Sequence, residues 1–195
     1  MRKKCGELFL SRKGKSGGMI MELWDVYDKH RRHKGFTITR GKERLGEGEY
    51  HLTAHVCVFA NDGRMIVQRR ASAKPLWPDK WDISASGSVL AGETTAKGAE
   101  RELYEELGIK ASLAEEQPRM TLYHENCISD YYIIKMNVDT CSLITDTSEV
   151  SSVMLSSRED ILSLIDEGAF VPYKKGFINF LFDMNESKDR NAFDL

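Results

Sequence analysis

The stretch Gly87–Ile109, GSVLAGETTAKGAERELYEELGI, governs how the rest of the chain is read. Its centre predicts one amphipathic helix from about Thr95 to Leu107, with Ala96, Ala99, Leu103 and Leu107 recurring on one face. Gly108 stands where a left-handed helix stop belongs. Beside the apolar stripe, Glu102, Glu105 and Glu106 occupy positions i, i+3 and i+4, within a sector of about 100°. Like charges at this spacing weaken a helix by about 0.2–0.5 kcal/mol per pair, and their repulsion raises at least one carboxylate pKa. A divalent cation relieves both penalties, and clustered carboxylate oxygens suit Mg²⁺ or Mn²⁺ better than zinc. A backbone carbonyl from the loop ending in Gly87 can complete the coordination shell. Arg101 can hold a carboxylate of the cluster, or of the preceding loop, in one orientation. A bare Glu-x-x-Glu-Glu is more often a solvated acidic face, so three glutamates alone do not establish a metal site.

Upstream, Glu22–Tyr27 and Phe36–Thr39 predict a hairpin with a long polar loop. His51–Phe59 predicts a buried strand, turned back by Asn61-Asp62-Gly63 into the strand Arg64–Gln68. A loop with Pro75, Pro78 and two tryptophans then leads to Asp82-Ile83. Downstream, Tyr131–Val138 and Ser152–Leu155 predict strands. Ser156 or Ser157, with Glu159 or Asp160, predicts a capping box opening a helix that ends at Gly168. A last helix is expected from about Lys174 to Met184, with Phe177, Ile178, Leu181 and Phe182 inward. Helices interleaved with strands predict an α/β layer fold with a mixed sheet.

The 195 residues are 41% hydrophobic and 30% charged, the composition of a globular protein large enough for one real core. The formal charge of −2 conceals an asymmetry. Residues 1–46 carry 13 basic and 5 acidic side chains, whereas 47–195 carry 15 and 25. The four cysteines (Cys5, Cys57, Cys127, Cys141) form no CxxC pair and read as reduced thiols of a cytoplasmic protein. No run approaches the ~20 apolar residues of a membrane span. Gly14-Lys15-Ser16 is not a P-loop, because Phe9 stands where that motif needs glycine. Residues 1–20 read as a basic leader, with a plausible start at Met19 or Met21.

With Gly87, Glu93, Arg101-Glu102-Leu103, Glu105-Glu106 and Gly108-Ile109 at their spacings, the segment resembles the complete signature of the Nudix hydrolase family, MutT-like, with every fixed position filled. The resemblance extends over residues 21–186 as a single domain, leaving 187–195 as a polar tail. It implies an α/β/α sandwich that cleaves a nucleoside diphosphate linked to another moiety, by attack of water at phosphorus. By position it implies that Glu102, Glu105, Glu106 and the Gly87 carbonyl hold Mg²⁺ or Mn²⁺, and that Arg101 and Glu93 hold the helix and loop in place. Glu102, or an acid outside the segment, would activate the water. Glu149 stands where the family often has such an acid. His124, Glu125 and Asp130 are weaker candidates.

YHLTAHVCVF, QRRASAKPLWPDKWD and SASGSV are most similar to the family branch containing isopentenyl-diphosphate isomerase. That enzyme's loop carries a catalytic cysteine and a metal-binding histidine where Ser86 and Ser88 stand here. His51 matches an early metal-site histidine, but its partner position is Arg44. Without the thiol the resemblance implies a hydrolase. Arg70 and Lys74 match diphosphate-binding positions, and Arg69 is expected to supplement them. Trp77 and Trp81 could stack a base, with Trp81 the better candidate for a loop anchor; His55 and Cys57 read as core. The consensus of coenzyme A hydrolases does not match, and the proline marking ADP-ribose hydrolases is not evident. The implied partner is a small nucleotide or diphosphate substrate. Neither nucleic acid nor a membrane is expected, and a homodimer is left open.

Overall fold

The computed structural model describes residues 21–137, 143 and 148–186. The basic leader, the polar tail, Cys5 and Cys141 lie outside the described residues. The chain runs through β1 (Leu23–Tyr27), β2 (His33–Thr39), β3 (His51–Phe59), β4 (Met65–Arg70), β5 (Trp81–Asp82), β6 (Ala85–Ser88), α1 (Thr95–Leu107), β7 (Met120–Tyr123), β8 (Cys127–Lys135), β9 (Val150–Ser156), α2 (Arg158–Asp166) and α3 (Lys175–Glu186). β1 and β2 form an antiparallel hairpin of their own; the other strands make one mixed sheet.

β3 is the axis of that sheet. It runs parallel to β8 along its whole length, from His51↔Cys127 to Phe59↔Lys135. Its other flank is shared: β6 pairs antiparallel with it from Thr53↔Ser88 to Val56↔Ala85, while β4 meets it only at Phe59↔Met65. β4 then continues between β5 and β9. β4 and β6 therefore splay from one flank of β3 and leave a V-shaped gap between them.

Strand alternation sorts the core into two layers. Leu52, Ala54, Val56 and Val58 pack under α1 with Ala99, Leu103 and Leu107. Cys57 and Phe59 turn to the other face, against Ile161 of α2 and Ile178, Leu181 and Phe182 of α3. The result is an α/β/α sandwich. Local chemistry sets the helix ends: the Thr94 side chain accepts from the Lys97 amide, and Gly108 ends α1 at φ 70. Ser157 and Asp160 form the capping box of α2. Sequence periodicity did not announce β7 or the first four residues of β8. The latter mix Ile128 with Cys127, Ser129 and Asp130, and their polar groups find partners only in the folded sheet.

Candidate active site

The stripe that buries Leu103 and Leu107 carries Glu102 and Glu106 partly inward with it. Both are almost wholly buried, at 3% and 1% exposure, while the Glu105 side chain remains 39% exposed. Glu106 lies beneath the V. Its Oε2 accepts from Gln68 Nε2 of β4 at 2.7 Å and from the Ser86 amide of β6 at 3.0 Å. Glu102 lies against Gly87, where an added Cβ would stand 2.2 Å from the Glu102 carboxylate carbon. Only glycine at 87 leaves room for that carboxylate.

Arg101 ties the site together. Its guanidinium makes a two-pronged pair with Glu93 (both contacts 2.9 Å) and also donates to Glu102 at 2.6 Å, Glu105 at 3.1 Å and the Ser88 carbonyl at 2.8 Å. Glu93 in turn accepts from the Leu90 amide at 3.0 Å, which fixes the turn leading into α1. Burial opposes the charge on Arg101, but Glu93 and Glu102 outweigh it and raise the Arg101 pKa. A lysine cannot reproduce a planar fork with this many acceptors. Arg101→Lys is expected to lower unfolding stability by about 1–3 kcal/mol and slow turnover; chemical denaturation alongside steady-state rates checks it.

Burial, and then the charge of Glu102, push the Glu106 carboxyl up to about 8; Lys74 and the Ser86 amide act in the opposite direction. Glu106 Oε1 is buried and accepts no hydrogen bond, although Lys74 Nζ stands 3.8 Å away. An oxygen in that condition, beside further carboxylates and the Gly87 backbone, fits a hard divalent cation. Among the described residues, however, no three acidic, imidazole or thiol side chains are already gathered into a closed cage; Glu102 and Glu105 lean on Arg101 instead. The Glu106 shift fixes a sign for metal-free stability. Between pH 4.5 and about 8 the folded chain keeps a proton that the unfolded chain has released, so stability falls as pH rises across that window. In EDTA, Tm is expected to drop with pH in the wild type and to depend less on pH in Glu106→Gln.

The NUDIX domain family model matches residues 49–174. An uncharacterised Nudix hydrolase of Listeria monocytogenes is 38% identical over 86% of this chain and 97% of its own length. The chain belongs to the Nudix hydrolase family. An isopentenyl-diphosphate Delta-isomerase of Haloarcula marismortui is 24% identical over 71% of this chain and 70% of that protein. A crystal structure from Deinococcus radiodurans (DR0079) superposes with a TM-score of 0.66 at 20% identity, covering 82% of this chain and 99% of that one, and confirms the fold.

Around this Nudix box, the fold divides the remaining sequence candidates. Lys74 and Glu149 are brought in together: they form an ion pair, and the Glu149 carbonyl accepts from the Ala71 amide at 2.9 Å. Arg69 and Arg70 are separated, because adjacent strand residues face opposite sides. Arg70 shares the Gln68 face but is buried against Asp82 at 3.1 Å, with its Nε on the Leu76 carbonyl at 3.0 Å. Arg69 lies on the other face and donates to the Asp79 carbonyl at 3.2 Å. Both therefore clamp the loop 71–80, whose Trp77 is 39% exposed with a left-handed φ of 52. Trp81 is half-buried against the α2–α3 layer.

His51 does not join the box. It lies on the opposite face of β3 from Leu52 and Ala54, stacked on Trp24 at 4.0 Å, and burial holds its pKa down at about 4. Asp130 is buried at the other end of α1, held by Arg31 at 3.0 Å and by Thr95 and Thr121 at 2.7 Å each. His124 lies just past β7, where its amide donates to the Cys127 carbonyl at 2.9 Å, and Glu125 follows it in the turn to β8. Gln68 was missed. Its position in MIVQRR, two residues from Ile66, was the available signal: strand alternation puts it on the α1 face.

Proposed function

We propose that this Nudix hydrolase is an Mg²⁺-dependent pyrophosphohydrolase, with Mn²⁺ as an alternative ion, that cleaves a nucleoside diphosphate linked to another moiety. The observation that carries the reading is the pair of buried carboxylates, Glu102 against Gly87 and Glu106 beneath the V, with one Glu106 oxygen lacking any hydrogen bond. Burying two carboxylates four residues apart is costly unless a cation joins them.

Glu102, Glu105, Glu106 and the Gly87 carbonyl would hold the cation, which when bound screens the phosphoryl oxygens and makes water a stronger acid. The chain's own groups do the rest. Arg101 and Glu93 hold the helix against the loop, so the carboxylates keep their positions through turnover. Lys74 is placed to shift from Glu149 to a phosphate oxygen, supplying positive charge beside the developing anion. The attacking water gives its proton to a carboxylate of the site, either Glu102 or an acid outside the box such as Glu149. The substrate is a small molecule, and we place the protein in the cytoplasm on the strength of its cysteine usage. No helix among the described residues is long and apolar enough to cross a membrane.

A panel of nucleoside diphosphate derivatives, dinucleotides, coenzyme A and NADH, assayed with Mg²⁺ and with EDTA, tests the reading. Cleavage of at least one phosphoanhydride, dependent on Mg²⁺ or Mn²⁺, is expected; no cleavage with either ion would overturn it. An isomerase would instead act on isopentenyl diphosphate without consuming water.

A further inference from the structure

The two arms of the V meet on a single atom. Gln68 Nε2 from β4 and the Ser86 amide from β6 both donate to Oε2 of Glu106, at 2.7 and 3.0 Å. The other oxygen, Oε1, is buried and accepts no hydrogen bond. The carboxylate therefore commits one oxygen to the sheet and presents the other to a ligand. Arg101 divides the neighbouring glutamates in the same way, donating to Oε1 of Glu102 at 2.6 Å and to Oε2 of Glu105 at 3.1 Å.

Gln68 holds this arrangement rigidly. It is 1% exposed, and its backbone is paired on both sides, with Asp82 of β5 and Val153 of β9. A side chain rooted there cannot follow Glu106 if the carboxylate turns. The Gln68 Oε1 is itself buried without a partner, and the bond to Glu106 is the one its side chain makes among the described residues. Burying an amide on those terms is costly. Packing alone would be served by an apolar residue, as Ile66 serves two positions earlier on the same face. A carboxylate fixed through one oxygen discriminates between cations. Mg²⁺ keeps several waters and a tight octahedral shell, whereas Ca²⁺ takes more oxygens and readily grips both oxygens of a carboxylate. For a two-oxygen grip, Glu106 Oε2 would have to leave both its donors, and the Gln68 amide and Ser86 N–H would stay buried without an acceptor. Lys74 does not obstruct the one-oxygen contact, because its ammonium, 3.8 Å from Oε1, is already paired with Glu149.

We propose that Gln68 is a positioning residue that sets the choice of cation: by holding Oε2 of Glu106 it confines that carboxylate to one-oxygen coordination, and so favours Mg²⁺ relative to Ca²⁺. This inference rests on the metal-dependent reading of the site, and its test separates the two.

Mn²⁺ binding to the full chain, followed by paramagnetic resonance without substrate and displaced by Mg²⁺ or Ca²⁺, measures the selectivity. Gln68→Met keeps the length of the side chain and removes its donor; Gln68→Leu removes the donor with a different shape. In both, the ratio of Ca²⁺ to Mg²⁺ affinity is expected to rise about tenfold over the wild type, as for the loss of one hydrogen bond to a charged group. An unchanged ratio overturns the proposal. So does an equal weakening of both ions, which is what a merely loosened site would give. Infrared difference spectra of the wild type supply a measurement that depends on neither variant folding. The gap between the two carboxylate stretches is wide for one-oxygen coordination and narrow for two-oxygen coordination, and the band lost in Glu106→Gln identifies the residue. A wide gap for Glu106 with Ca²⁺ as with Mg²⁺ is expected, and a narrow one with Ca²⁺ overturns the proposal. Failure of the wild type to bind Mn²⁺, or binding that survives in the Glu105→Gln, Glu106→Gln variant, would instead count against the metal-dependent reading itself.

Discussion

The double variant Glu105→Gln, Glu106→Gln is expected to fold as the wild type does and to lose at least about a thousandfold in Mg²⁺-dependent hydrolysis. Glutamine is isosteric with glutamate, and its carbonyl oxygen can still accept from Gln68 Nε2 and the Ser86 amide at position 106. What disappears is two negative charges at the site proposed to hold a cation. A cation's stabilisation of phosphoryl charge amounts to several kcal/mol, and each 1.4 kcal/mol, approximately, is tenfold in rate. Removing the buried carboxylate also removes a penalty. The variant should therefore be at least as stable as the wild type in EDTA at pH 8 and above, where burial makes an ionised Glu106 costly. Circular dichroism melts and initial rates on the same preparations check both halves. Near-wild-type turnover would remove the metal-binding assignment.

Gly87→Ala is expected to cost about a hundredfold in turnover while sparing the fold. The new methyl would overlap the Glu102 carboxylate, its carbon at 2.2 Å and its oxygens at 2.2 and 2.6 Å. The backbone there is paired with Ala54 and has no strained φ. The clash is with the end of a side chain, so the carboxylate moves and the strand stays. Glu102 cannot move far, because Arg101 holds one of its oxygens and the surroundings are closed. A displacement of about 1 Å at a reacting centre typically costs about a hundredfold. The distinguishing readout is metal affinity without substrate, followed by Mn²⁺ paramagnetic resonance: it should weaken in Gly87→Ala, whereas a purely structural defect would lower Tm first.

Much of this molecule is legible in one dimension because the signals are local. The helix Thr95–Leu107 has the bounds its apolar spacing and Gly108 predict. The capping box at Ser157 and Asp160 is where a serine three residues before an acid places it. Arg101, Glu102 and Glu105 converge as their spacing on one helix implies, and Glu93 joins them from the preceding turn. Arg69 and Arg70 show the limit of such reading. The resemblance places Arg70 on phosphate with Arg69 supplementing it, yet the strand sends them to opposite faces; each donates to a carbonyl of loop 71–80, and Arg70 also pairs with Asp82. His51, too, lies on the face of β3 opposite Leu52 and Ala54, stacked on Trp24.

By itself, the sequence determined the family, through its match to the complete signature, and the helix that presents the box glutamates, because a 3.6-residue period converts spacing into position. The buried state of Glu102 and Glu106 and the placement of Gln68, Lys74 and Glu149 beside Glu106 were settled by the splay of β4 from β6 and by the register of β3 against β6 and β8. Those pairings join residues 29 to 76 positions apart, and no local periodicity encodes which of two strand faces a distant partner will share.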